Sequence, residues 1–515
     1  MEQVTTNGVR LVGVTGHLEP VHGELVADRR AGIIVLGPDG RRMPETRDRL
    51  YAGITNSRWD VTRSPVRVSL PPSHEPSPGS ATDLAFAAAI LILNGVFRAT
   101  ALDGVVLVGE LGLDGAIRPV RGALPMVAAA ARAGLGTVVV PAANAHEAGL
   151  VPGVQFVPVD SLRQFVLWAS FGIIPELPGP DAGPAQPTGG GPILDLADLP
   201  AGMARERWAL EVAAAGGHHL GLLGPLGSGK TVLAERLPSL LPDLGDNDAV
   251  DVTALRSAAG LLHPADALVR RPPFIAPHHS ASLPSLIGGG PRAPRPGAIS
   301  LAHRGVFYMD QTPEFGHRVL TALRQPVDQG QVTLAGGSAS VTYPARTQMV
   351  LAAQSCPCGR SSDVESRCGC SPRDRVRYLA RMSALWERTD IRLSLEIPAS
   401  RDGDAGESSA VVAARVAAAR ERAADRWAAL GYRVNALVPG EVLRTGVCAL
   451  PTCDINPLLE LFRVGTVSDD GYDRVLRVAW TVADLRAADR PDRDDVTAAI
   501  ELHLDRQPTP PRAQR

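Results

Sequence analysis

The octapeptide GPLGSGKT, running from Gly224 to Thr231, limits what this chain of 515 residues can fold into more than any other stretch. It fits the pattern G-x-x-x-x-G-K-[ST]. It follows the apolar run HHLGLLG and opens an apolar-periodic helical pattern, the strand–loop–helix context that a phosphate-binding loop requires. Its glycines let the backbone curl so that N–H groups face phosphate oxygens, and the helix N-terminus adds a favourable field. Lys230 is the only lysine; the other 51 basic residues are arginine. Abundant Ala, Arg, Gly and Pro indicate a mutational bias that should have removed this lysine as well. A compact ammonium on a slim stem reaches the β/γ-phosphates, where a planar guanidinium does not fit the same cradle. Thr231 offers a hydroxyl to Mg²⁺. A second strand ending in a carboxylate should complete the metal site, and GVFYMD, ending at Asp310, supplies it. The expected ligands are a nucleoside triphosphate and Mg²⁺. Gly224, Pro225, Leu226, Gly227, Ser228, Gly229, Lys230, Thr231 and Asp310 hold the nucleotide, and Thr231 and Asp310 hold the metal.

The length predicts about three domains. The Pro- and Gly-rich stretch 175–192 reads as a linker. Before it, the β-branched runs Gly104–Leu111 and Gly136–Ala142 flank a helix over Pro125–Gly134, so residues 1–174 are α/β. Residues 193–398 repeat the α/β pattern, with candidate strands His218–Gly224, Gly305–Asp310 and Thr347–Ala353. After a polar loop, residues 410–506 are strongly helical, and 507–515 read as a disordered tail. A net charge of −2 gives no global bias toward nucleic acid or anionic membrane. No apolar run approaches the roughly 18–20 residues of a membrane span; Leu84–Phe97 reads as a buried helix. No signal-peptide pattern is visible and cysteines are few, so a reduced, cytoplasmic setting without a membrane partner is expected.

Several stretches together resemble the YifB/ComM group of magnesium-chelatase-like AAA+ ATPases over nearly the whole chain. They are Gly216–Leu244, Pro277–Asp310, LTALRQPVDQGQV (Leu320–Val332), CPCG (Cys356–Gly359) and GYDRVLRVAWTVADL (Gly471–Leu485). The resemblance implies an α/β fold in three parts: an N-terminal Lon-protease-like α/β domain, a P-loop AAA+ α/β core and a C-terminal helical lid. It also implies ATP as the nucleotide, assembly of copies into a ring, typically hexameric, and for ComM-like members DNA branch migration. Gly109–Asn144 carries the Lon resemblance. The dyad lysine of Lon falls near Leu124, with Ser80 in the nucleophile segment, so the Ser–Lys chemistry has no base.

The hydrolytic parts depart from the family pattern. Its Asp-Glu strand end is Asp310-Gln311 here, and glutamine can orient water but cannot take its proton. Loss of a general base costs about 10²–10⁴-fold. Glu314 lies close in sequence, beyond a proline turn. Gln354 stands at the sensor asparagine, Arg388 near the family's arginine, and Asp470 where the lid carries a phosphate-sensing arginine, with Arg474 a partial replacement. Pro272–Ile275 lacks an arginine, and Ala298 replaces a glutamate. On the resemblance, Asp310, Gln311, Gln354 and Arg388 are the catalytic positions of a weakened ATPase. The alternatives are a nucleotide-binding scaffold that does not hydrolyse and a chelatase-type motor subunit.

Cys356, Cys358, Cys368 and Cys370 form two C-x-C pairs, a set that suits tetrahedral Zn²⁺, although zinc sites more often use C-x₂₋₄-C. The other reading is four exposed thiols. Cys448 and Cys453 read as incidental. His278 and His279 have no acidic partner at ligand spacing and read as a structural or pore-loop pair. The arginines over Ala414–Arg426 read as a solvated helix face.

Overall fold

The computed structural model describes residues 3–27, 32–60, 65–72, 79–174, 194–200, 202–263, 266–290, 294–336, 339–360, 368–397 and 406–505. The expected linker and C-terminal tail lie outside these, as does much of the polar loop before the lid.

The first α/β unit is a seven-stranded sheet. Its strands are β1 (Gln3–Val12), β2 (Thr15–Leu25), β3 (Ile33–Leu36), β4 (Val66–Ser69), β5 (Val105–Leu107), β6 (Thr137–Pro141) and β7 (Gln155–Val159), in the order β3-β4-β2-β1-β5-β6-β7. β1 and β2 form a long antiparallel hairpin in register from Gln3↔Glu24 to Val12↔Thr15. Sequence patterning does not single this hairpin out, because Asn7-Gly8 interrupts the first strand and Pro20 and Gly23 the second. The helix α1 (Pro44–Asn56) precedes β4. α2 (Asp83–Leu93) is almost wholly buried, which is why it is apolar on every face. α3 (Ala123–Arg132) ends before Gly134, which takes a left-handed φ of 73°. This is the expected helix between the two β-branched runs.

The second unit is a five-stranded parallel sheet. It contains β8 (Leu220–Leu223), β9 (Phe274–Ile275), β10 (Val306–Met309), β13 (Gln348–Ala353) and β14 (Ile391–Ser394), in the order β9-β10-β13-β8-β14. Between β10 and β13 an antiparallel hairpin, β11 (Gln331–Gly336) and β12 (Ala339–Pro344), projects. Because the strands are parallel, all carboxyl ends share one edge, where open α/β sheets bind ligands. Residues following β8, β10 and β13 therefore converge there.

The two units share a core. α4 (Asp246–Ala259), from the second unit, packs on α3, and its Ala254 belongs to the same apolar cluster as Val9, Leu124, Val127 and Val138. Ser257 accepts the Gly122 N–H on its carbonyl at 3.2 Å and donates its hydroxyl to Glu147. Leu255 meets Val341 and Tyr343 of β12 and, with them, Val12 and Val14 at the β1–β2 turn.

The lid contains α5 (Ser409–Trp427), α6 (Thr452–Arg463), α7 (Asp469–Leu485) and α8 (Arg493–Leu504). α5 and α7 pack on Ala204–Gly216, the helix that leads into β8. The arginines of α5 are not a solvated face. Arg415 grips Glu211 through two hydrogen bonds of 2.7 and 3.0 Å. Arg420 donates twice to the Ala214 carbonyl, at 2.9 and 2.7 Å. Arg422 reaches the Asp484 carbonyl, and Arg426 forms an ion pair with the fully buried Asp484 while stacking 4.5 Å over Trp480. Arg415 and Arg420 fasten lid to core, while Arg422 and Arg426 tie α5 to α7 within the lid; all four partners lie too far along the chain for a helix pattern to reveal them.

Candidate functional site

The loop 224–231 hangs from the carboxyl end of β8. Gly224 donates to the Ala353 carbonyl at 3.2 Å, tying the loop to β13. A Cβ at Gly224 would lie 2.7 Å from the Leu395 carbonyl oxygen. Gly227 and Gly229 take φ of 82° and 87°, so only residues free of a Cβ penalty suit the curl. The helix that follows is short: Lys230–Ala234, then, after a break at Glu235 and Arg236, Leu237–Leu240 with Pro238 in its first turn. Lys230 is 9% exposed and folds back into the loop. Its Nζ donates to the carbonyls of Gly224 and Pro225 at 2.8 and 2.6 Å and to Ser228 Oγ at 3.3 Å. Burial lowers the Lys230 pKa and Asp310 pulls it back up. The loop thus presents a partly dehydrated ammonium held by its own carbonyls.

Asp310 follows β10 at the same edge. Tyr308 joins the two sides: its hydroxyl donates to Asp310 Oδ1 at 3.2 Å and lies 3.1 Å from Thr231 Oγ1. Burial raises the Tyr308 pKa well above its ordinary value. With the phenol proton committed to the carboxylate, Thr231 is the donor to Tyr308. In the sequence Tyr308 reads only as part of an apolar strand. The available signal was the alternation of a strand, which puts residues 308 and 310 on one face. A carboxylate and a hydroxyl are hard oxygen donors of the kind Mg²⁺ takes, so the donor set fits the ion.

Gln311 occupies the left-handed region at φ 50°, ψ 46°, a strained conformation for a side-chain-bearing residue. Its N–H donates to Asp310 Oδ1 at 2.9 Å. Glu314 turns away to Arg381, 3.8 Å distant. Gln354 follows β13 at this edge, its side chain against Gly359.

Arg388 and Arg474 lie elsewhere. Arg388 precedes β14, at the amino edge of the parallel sheet, and the two ends of its guanidinium meet Asp328 at 2.7 and 2.6 Å. Arg474 donates to the Arg388 carbonyl at 2.9 Å and to Asp390 Oδ1 at 3.0 Å. Burial alone would raise the Asp390 carboxyl, but His218 and Arg474 hold it well below the usual carboxylate range. Asp328, Arg388, Asp390 and Arg474 line an arginine-rich cleft of about 780 Å³ between core and lid, joined there by Arg420, Arg433 and Arg477. Arg388, near the family's arginine position, and Arg474, the partial replacement in the lid, are therefore not brought together with Lys230 of their own chain. Asp470 is exposed at the start of α7.

The four cysteines converge at the loop edge. Cys356 Sγ lies 3.3 Å from Cys358 Sγ and 3.6 Å from Cys368 Sγ, Cys358 and Cys368 are 3.4 Å apart, and all four sulfurs fall within 4.8 Å of one another. A Zn²⁺ tetrahedron with bonds of about 2.3 Å has S···S edges of roughly 3.8 Å, so this set fits. It is the only such group of ligands among the described residues. Cys448 and Cys453 are not part of it. The imidazoles of His278 and His279 lie 4.1 Å apart, tilted by 36°, and belong to no ligand cluster among the described residues. In the first unit Ser80 donates to Glu110, and Leu124 is buried apolar core. Among the described residues no helix is long and apolar enough to cross a membrane.

Residues 195–402 match the family described as magnesium chelatase, subunit ChlI, and residues 406–503 match its C-terminal part. Residues 26–144 match a third family, subunit ChlI of Mg-chelatase. An uncharacterised protein of Mycobacterium tuberculosis is 41% identical over 502 residues, covering 96% of this chain and 97% of that one. The uncharacterised protein YifB of Escherichia coli is 36% identical, covering 91% of each chain. Competence protein ComM of Haemophilus influenzae is 33% identical, covering 92% of each. An archaeal Lon protease of Thermococcus kodakarensis is 25% identical over 167 residues, 31% of this chain and 26% of its own.

Proposed function

The chain belongs to the YifB/ComM family of magnesium-chelatase-like AAA+ proteins, and from that premise we propose that it binds Mg·ATP at residues 224–231 and hydrolyses it weakly. The observation that carries the reading is the convergence of Lys230, Thr231, Tyr308 and Asp310 at one sheet edge. On binding, Lys230 exchanges its loop carbonyls for the terminal phosphates. Thr231 and Asp310 hold Mg²⁺, which neutralises phosphate charge. Gln311 orients a water without taking its proton, which limits turnover.

Arg388, at the opposite edge, supports a ring in which it faces the nucleotide of the next copy. A ring of six is the family's usual number, and DNA is the partner carried over from ComM-like members. The four cysteines hold Zn²⁺, a reading supported by their sulfur spacing. The second reading, a nucleotide-locked scaffold, is favoured by Gln311 and by Asp470 at the sensing position. A chelatase-type motor subunit is the weaker third.

Calorimetric titration with Mg·ATP tests the first reading. Wild type binds and Lys230→Ala does not; an intact protein that takes up no adenine nucleotide at millimolar concentration overturns it. Single-turnover phosphate release with and without branched DNA separates motor from scaffold. Robust Lys230-dependent release overturns the weak-hydrolysis reading. DNA affinity that falls steeply with salt supports the DNA partner.

A further inference from the structure

The thiolate cluster and the phosphate loop are joined through backbone. β13 delivers the chain to Gln354, Ser355 and the buried Cys356. A tight turn follows, closed by the Gly359 N–H donating to the Cys356 carbonyl at 3.0 Å. Gly359 has φ 72°, and a Cβ there would lie 2.7 Å from Gln354 Oε1, so the turn has little room to shift. The Gly359 carbonyl accepts the N–H of Leu226, in the middle of the phosphate loop, at 3.4 Å. With the bond from Gly224 to Ala353 described above, the loop is suspended at two points from the segment carrying the first cysteine pair.

The second pair is fixed independently. Arg375, on the helix Pro372–Ala380, donates to Cys368 Sγ at 3.3 Å. Ser371 caps that helix by accepting the Asp374 N–H at 3.2 Å. From the end of the same helix Arg381 reaches Glu314, in the turn after Asp310 and Gln311. The four sulfurs thus link the side of the site that carries the loop to the side that carries Asp310.

We propose that this cluster is a metal-dependent clasp on the nucleotide site. Zn²⁺ held by Cys356, Cys358, Cys368 and Cys370 fixes Gly359, and through it Leu226, in the position the phosphates need. Metal and Mg·ATP then stabilise each other's binding. The inference rests on the nucleotide and metal readings above, and adds that the two sites are coupled. By linkage the effect is reciprocal, and coupling between sites is commonly about 5- to 150-fold.

The full-length protein is tested, loaded with Zn²⁺ and assayed for metal content. Zn²⁺ release to a chromophoric chelator is followed with and without saturating Mg·ATP. Release slows at least about fivefold with nucleotide, at the lower end of ordinary coupling, and the slowing vanishes in Lys230→Ala. Calorimetry then compares Mg·ATP affinity of the loaded protein, the stripped protein and Cys368→Ser/Cys370→Ser, with the latter two weaker by a similar factor. Release on wild type decides the matter if the double variant does not fold. Equal release rates with and without bound nucleotide, and an unchanged affinity after stripping, overturn the clasp while both sites stand. Failure to retain added Zn²⁺ overturns the metal reading and the clasp with it. Loaded protein that binds no Mg·ATP overturns the nucleotide reading.

Discussion

Tyr308 is the residue at this site that no motif announces. Its hydroxyl spans the gap between Thr231 and Asp310, so Tyr308→Phe removes a hydrogen bond to a carboxylate. Such a bond contributes about 1.5 kcal/mol or more, so Mg²⁺-dependent ATP affinity should fall roughly tenfold, read by titrating Mg²⁺ at fixed nucleotide. Gln311→Glu supplies the missing proton acceptor and should raise single-turnover hydrolysis by about 10²-fold, the lower end of general-base effects. No change in that variant would place the block elsewhere, as at Asp470. Lys230, Thr231 and Asp310 were legible because a phosphate loop and an acid-terminated strand are local patterns. Tyr308 was not, because a tyrosine in an apolar strand reads as core until its hydroxyl's neighbours are known. Arg388 was legible as a residue but its place was not: only the parallel register of β14 with β8, Ile391 opposite Leu220, puts it at the far edge.

Helix α5 shows how far composition alone can mislead at the scale of an element. Alanine and arginine at helical spacing satisfied the helix expectation, and the helix is there. On that pattern its arginines face water, yet Arg420 and Arg426 meet partners 206 and 58 residues away. Arg426→Leu leaves the buried Asp484 carboxylate without its cation. It should destabilise the protein by about 3–5 kcal/mol, the usual cost of stranding one member of a buried pair. The pair replacement Arg426→Leu/Asp484→Leu should recover most of that loss. Urea unfolding of the single and double variants checks both expectations.

Across the whole molecule, two histidines should each withdraw stability as the solution turns acid. Burial pushes His219 down to about 4 and His303 down to about 3 from an ordinary value of 6.5. Each accepts a backbone N–H on Nδ1, from Met349 and Arg346 respectively, both at 3.0 Å, which requires that nitrogen to be unprotonated. A depressed histidine contributes its full stability above pH 6.5, where it is neutral in both states. Below that the unfolded chain takes up protons first, so stability falls as pH drops toward 4. The slope approaches about 1.4 kcal/mol per pH unit for each histidine. Burial raises the Asp83 carboxyl to about 6, which works the other way over the same range, so the histidine share is read as the difference between wild type and His303→Asn in urea unfolding at pH 7 and pH 5, with the variant losing less in acid. The broad division into two α/β parts and a helical part could be read from the pattern of strands and helices. The close joining of the first two could not, since it depends on Ala254 and Ser257, small residues that no pattern marks as contacts.

That joining bears on how the protein can be taken apart. Ala254 completes an apolar cluster whose other members are drawn largely from the first 160 residues, so scissors applied at the proline-rich segment would not release two finished pieces. A fragment starting at residue 194 would carry one flank of its own helix bare to water. It should clump or melt early, and adding the severed front half in trans should rescue it.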